Sequence, residues 1–222
     1  MHRYLDPLPG RQADHLVVLL PPAQASLNDL VAEGFIAEVR RRSLAVDVLL
    51  ADVCYQQVMA HTAAAELQRQ VIQPALGQGY RSVWLAGISL GAFNVLHCAA
   101  AFPGEVAGLC LLAPYPGTGD VLREIEAAGG PARWASQGQH SGAFERIWWS
   151  WLYRQASQAD RLPVWVGLAQ GDRFIRGQRM LASLLPPAQV DEIEGDHSWP
   201  YWRLLWQRWL ERGWLPVLPE AG

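Results

Sequence analysis

Residues 82–91 read SVWLAGISLG: an apolar run, then a serine between two glycines, then an Ala-rich apolar stretch at 90–102 that stops at Pro103-Gly104. Residues 82–86 suit a buried strand and 90–102 a helix, so the chain must turn from one into the other around Gly87-Ile88-Ser89-Leu90-Gly91. So tight a turn forces the central residue into strained dihedrals and leaves no room for side chains two positions to either side. Gly87 and Gly91 meet that demand. The serine hydroxyl is lifted above the sheet, beside the unpaired N–H groups and positive dipole end of the helix. Ser89 is therefore the candidate nucleophile, and Leu90 N–H the first candidate donor to an oxyanion.

Upstream, residues 15–20 (HLVVLL) form a compact apolar run ended by Pro21-Pro22, as in a buried strand that stops abruptly. Ser26 can cap the next helix. Asp29 sits in its first turn, and Leu27, Leu30, Val31 and Phe35 recur at helical spacing before Arg40-Arg41-Arg42, which complements the dipole at the helix end. Residues 44–50 read as a second strand. Thr62 opens a helix to about residue 73, where Pro74 is expected to kink or end it, and Gly77 and Gly79 turn into the run at 82–86.

Downstream, 106–113 reads as strand, and then the strand signal vanishes between Tyr115 and Ala159. Gly and Pro cluster there, followed by a helix with Phe144, Ile147, Trp148, Trp151 and Leu152 on one face. Strand resumes at 162–168, with a short helix near 177–184 and a last strand around 188–193. Trp199, Trp202, Leu205, Trp206, Trp209 and Leu210 give a terminal helix its apolar stripe, and Gly213 can close it. This alternation predicts an α/β fold, a mostly parallel sheet of about six strands covered by helices on both faces. One domain, 1–222, is expected, with a helical cap inserted at about 115–160.

Composition removes several classes. All 18 positive side chains are Arg and none is Lys, which excludes Schiff-base chemistry, a pyridoxal-phosphate anchor and a P-loop lysine. The net charge of −3 gives no basic face for nucleic acid. No run approaches the roughly 20 apolar residues of a membrane span, and the polar, Pro-broken start does not suit a signal peptide, so a cytoplasmic location is expected. Cys54, Cys98 and Cys110 lack ligand spacing and read as buried free thiols. His15, His61, His97 and His140 are scattered, so no metal site is expected.

With the Gly87–Gly91 pattern in its strand-to-helix setting, the chain resembles the α/β-hydrolase superfamily, in a small serine esterase or thioesterase form, from His15 to Gly213. The resemblance implies a carboxylate after a late strand and a histidine after the last one, in the order Ser, Asp, His. Gly171-Asp172 and Gly195-Asp196-His197 fill those positions. A serine hydroxyl is a poor nucleophile, so His197 is expected to take its proton, with Asp172 fixing the imidazole tautomer. Asp196 is the alternative acid, although as the neighbour of His197 it is better placed to cap the last helix. The second oxyanion donor should come from the loop after the first strand. Lipase-like relatives carry a His-Gly stretch there, whereas this chain has Pro21-Pro22-Ala23-Gln24; Pro22 has no N–H, leaving Ala23 or Gln24. The two antiparallel strands that open larger members look to be missing.

Eleven tryptophans exceed the needs of such a core, and Trp134, Trp148, Trp149 and Trp151 lie in the expected cap. Either they pack against the body, or some of them, Trp148 and Trp151 with Tyr115, line an acyl pocket for a medium-length or aromatic group. The implied function is cofactor-free hydrolysis of a small-molecule carboxylic ester or acyl-thioester through an acyl-enzyme on Ser89. Acyl transfer on the same residues is the nearest alternative, and a non-catalytic binding module of the same fold is a second.

Overall fold

In the computed structural model, which describes residues 1–53, 55–138 and 144–219, successive strand residues fall into two separate cores. In β2 (His15–Leu20), Leu16, Val18 and Leu20 face one side and Val17 and Leu19 the other. In β4 (Ser82–Ile88), Val83 and Leu85 oppose Trp84, Ala86 and Ile88. Both faces are buried, so these strands read as unbroken apolar runs rather than as alternations.

The remaining strands are β1 (Arg3–Asp6), β3 (Asp47–Ala51), β5 (Gly108–Leu112), β6 (Val164–Ala169) and β7 (Val190–Ile193), in the order β1-β3-β2-β4-β5-β6-β7. All neighbours pair in parallel except β1, which runs antiparallel to β3 with Arg3 opposite Ala51. Among the described residues the sheet has seven strands, where about six were expected, and one antiparallel strand precedes the parallel ones. Three of the four β1 residues are exposed, so no apolar pattern announced it. Arg40 ties it down through an ion pair to Asp6 and a bond to Asp6 O at 2.8 Å.

One face carries α1 (Leu27–Ala32), α2 (Phe35–Arg41) and α11 (Trp199–Leu210). Ser26 and Asp29 form the reciprocal capping box at the start of α1. The single helix expected there is two, because Gly34 adopts φ +81° and breaks it. The arginines at the end of α2 are held by carboxylates, Arg41 by Glu38 and Arg42 by Glu38 and Glu211.

The other face carries α4 (Ala63–Leu67), α5 (Gln73–Gly77), α6 (Leu90–Ala101) and α10 (Ile175–Ala182); α3 (Tyr55–Met59) precedes α4. Pro74 does not end its helix. The turn at Gln68–Ile72 is π-helical, with Gln73 N–H donating to Gln68 O, and the widened turn absorbs the proline. Between β5 and β6 stand α7 (Gly119–Ala127), α8 (Pro131–Ser136) and α9 (Phe144–Ala156). Trp134, Trp148, Trp149, Trp151 and Leu152 from these helices join the core under α6.

Cys98 and Cys110 are buried free thiols, and burial pushes the Cys98 thiol up to about 12. Cys54 and His140 lie outside the described residues, as does the Phe144 side chain. Among the described residues no helix is long and apolar enough to cross a membrane.

Candidate active site

Ser89 sits between β4 and α6 with φ 51° and ψ −110°, a conformation that non-glycine residues rarely adopt. Three main-chain bonds hold it there. Ser89 N–H donates to Leu112 O at 2.9 Å, and Ser89 O accepts from Phe93 N–H at 3.1 Å and Tyr115 N–H at 3.0 Å. The glycines are required sterically. A Cβ on Gly87 would lie 2.5 Å from Ala92 N, and one on Gly91 would lie 2.5 Å from Leu20 O and 2.6 Å from Pro21 O.

The two other predicted side chains arrive from loops that touch each other. Gln170 N–H donates to Ile193 O at 2.9 Å and Gly171 N–H to Gly195 O at 2.7 Å, which lays the loop after β6 against the loop after β7. A Cβ on Gly171 would meet Gly195 O at 2.7 Å, so the approach depends on glycine. His197 is thereby brought to both partners: Nδ1 lies 2.6 Å from Asp172 Oδ2, and Nε2 lies 2.9 Å from Ser89 Oγ. An ionised carboxylate only accepts, so Nδ1 carries the proton, and the Nε2 lone pair accepts the Ser89 hydroxyl.

Asp172 is 2% exposed. Burial opposes its ionisation, but hydrogen bonds from His197, Phe174 N–H and Gln178 outweigh burial and hold the carboxyl below its ordinary value. Phe174 N–H donates to Oδ1 at 2.7 Å, closing an Asx turn, and Gln178 Nε2 donates to Oδ2 at 2.9 Å. Gln178 is fully buried on α10, and the same Nε2 also donates to Pro114 O at 3.1 Å. Both acceptors face the amide nitrogen, so the Gln178 side chain is fixed in orientation. The His197 ring is clamped edge-to-face between Phe174, at 5.2 Å between centroids, and Trp202, at 5.0 Å.

Asp196 is exposed and accepts from the Ser198 hydroxyl. No side-chain bond caps α11, so the capping role expected of Asp196 is corrected. Leu90 is the first residue of α6 and its N–H has no acceptor within the helix. Ala23 and Leu90 line one cavity, together with Gln24, which has φ 65°. Trp148 and Trp151 do not line it. They are buried in the core, Trp148 stacked on Trp149 at 4.8 Å and edge-on to Phe93 at 6.1 Å. A large apolar ring at helical spacing serves a core as readily as a pocket, and here the core takes them. Tyr115 is half-buried between Phe93 and Phe174, at 5.7 and 5.3 Å.

The other histidines serve elsewhere. His15 Nδ1 lies 2.6 Å from Ser82 Oγ, and burial with the nearby His61 holds the His97 imidazole down to about 4. Among the described residues no group of His, Cys, Asp or Glu could hold a metal ion.

No protein-family profile and no curated protein sequence matches the chain. Solved structures do. Est1E from Butyrivibrio proteoclasticus superposes with a TM-score of 0.66 at 15% identity, over 94% of this chain and 91% of that one. FphF, a fluorophosphonate-binding serine hydrolase of Staphylococcus aureus solved with substrate bound, gives 0.60 at 14%, over 88% and 82%. MGS-MChE2, an alpha/beta hydrolase enzyme from the sediment metagenome of the Mar Chica lagoon in Morocco, gives 0.58 at 17%, over 94% of each chain. Together with the sheet order and the strand-to-helix turn at Ser89, these likenesses establish that the chain has the α/β-hydrolase fold.

Proposed function

We propose that the protein is a serine hydrolase that cleaves a small-molecule carboxylic ester or thioester through an acyl-enzyme on Ser89. The observation that carries the proposal is the continuous line from Ser89 Oγ to His197 to the Asp172 carboxylate, at 2.9 and 2.6 Å. FphF, named as a serine hydrolase that binds fluorophosphonate, shares the fold and supports the choice.

In this mechanism Ser89 Oγ attacks the carbonyl carbon while its proton passes to His197 Nε2. The resulting imidazolium is stabilised by Asp172, whose Oδ2 accepts from Nδ1. Collapse of the tetrahedral intermediate breaks the bond to the alcohol or thiol, which leaves with the proton from Nε2. Water then gives a proton to Nε2 and its oxygen attacks the acyl carbon, releasing the carboxylic acid and restoring the serine hydroxyl. The oxyanion is assigned to Leu90 N–H and Ala23 N–H, with Gln24 N–H as the alternative second donor.

Gln178 acts as a positioning residue, holding Asp172 where Nδ1 needs it. Residues 1–222 work as one unit, with 115–160 as its cap. Tyr115 keeps its proposed place near the substrate, whereas Trp148 and Trp151 give up theirs to the core. A panel of esters and acyl-thioesters of increasing chain length tests the proposal. Turnover that disappears in Ser89→Ala supports it; turnover that survives in that variant overturns it.

A further inference from the structure

A cavity of about 540 Å³ opens between the loop after β2 and the first turns of α6. Its walls are mostly apolar, from Leu20, Pro22, Ala23, Val53 and Leu90, with three polar residues among them, Gln24, Asp52 and Asn94. Asn94 lies four residues beyond Leu90, hence on the same helix face. It is 4% exposed, and among the described residues its carboxamide has no hydrogen-bond partner, although it lines the cavity. Asp52, half-buried just beyond β3, donates its N–H to His2 O at 3.0 Å, but among the described residues its carboxylate has no ion pair.

Neither side chain is bonded to another part of the protein among the described residues, so an amide and a carboxylate around one mostly apolar cavity are available to a group that enters it. A carboxylate can only accept and a carboxamide can do both, so a donor is the group that satisfies the pair together. The cavity also shares Ala23 and Leu90 with the proposed oxyanion site. A carbonyl oxygen held between those two amides places one arm of its ester in this space.

We propose that the cavity is a substrate subsite, and that Asn94 and Asp52 select an ester arm ending in a hydrogen-bond donor, a hydroxyl or an ammonium. Arms ending in a methyl are accepted less well, and arms ending in a carboxylate are rejected by Asp52. The proposal rests on Ser89 being the nucleophile.

Two series of esters, equal in length and differing only in the terminal group (methyl, hydroxyl, ammonium or carboxylate), test it; one varies the acyl end and the other the alcohol end. In at least one series a donor terminus should exceed methyl by about tenfold in kcat/KM, the size of one buried charge-assisted hydrogen bond, with carboxylate poorest. Asn94→Leu and Asn94→Ala should bring the hydroxyl-to-methyl ratio to within about twofold, and Asp52→Asn should remove the advantage of ammonium over hydroxyl. Because each comparison is a ratio within one variant, a general loss of activity cancels. A flat wild-type series, or ratios that survive these substitutions, overturns the subsite while leaving the nucleophile standing. Hydrolysis of every ester by Ser89→Ala overturns the nucleophile itself.

Discussion

The two flanks of Ser89 are built on opposite terms. On the Asp172 side, the carboxylate accepts from His197, Phe174 N–H and Gln178, and the imidazole is wedged between two rings. On the Asn94 side, a carboxamide and a carboxylate face an open cavity with no partner among the described residues. A satisfied polar network is stiff and specifies one geometry, as proton transfer requires. Polar groups held in reserve suit recognition, because the ligand completes them.

Substitutions on the stiff flank should break the contrast most. Asp172→Asn should lower kcat by about 10³–10⁴-fold with the fold intact, since an amide facing Nδ1 permits the wrong tautomer. Near-normal steady-state kinetics in that variant would move the acid to another carboxylate. Gly91→Ala forces a methyl against Leu20 O and Pro21 O. It should destabilise the fold by about 1–3 kcal/mol in denaturant unfolding, and a neutral result would show that the elbow has more slack than the contacts imply.

Gln178→Met keeps the volume but deletes the donor to Asp172. We expect kcat to fall about tenfold with KM unchanged, the size of one hydrogen bond to a charged group. A lower melting temperature with unchanged kcat would reduce Gln178 to packing. The smallest effect concerns acid stability. Asp172 is held below its ordinary value of 3.8, so its ionisation stabilises the fold above that pH and is lost as pH falls through the lower folded value. The gap in unfolding free energy between wild type and Asp172→Asn should therefore narrow on acidification below about pH 4; a gap that stays constant would mean that the carboxylate is not stabilised as described.

Much of this architecture was legible because the relevant physics is local. The turn at 87–91 announces itself through two glycines whose absent side chains are needed within five residues of each other, and the Asp172 loop follows a fully buried strand with a clear apolar run, whereas the strand before His197, Val190–Ile193, carries Asp191 and Glu192 and only Ile193 is buried. The exposed strand Arg3–Asp6 left no periodic trace, and the π-turn that carries the helix past Pro74 is a tertiary accommodation that proline chemistry alone does not foretell. The tryptophans of α9 were ambiguous for a different reason. Their spacing says that they share a face, but whether that face meets a core or a ligand is decided by α6, far away in sequence. Gln178 and Asn94 were silent, since an amide on a helix acquires meaning only from what stands opposite it.

The most direct measurement is mass spectrometry of the folded protein after treatment with a fluorophosphonate. A serine activated by His197 should form a single phosphonyl adduct on the peptide carrying Ser89, lost in Ser89→Ala and strongly slowed in His197→Ala. An unmodified Ser89 in folded protein, or an adduct elsewhere that survives Ser89→Ala, would contradict the proposed nucleophile.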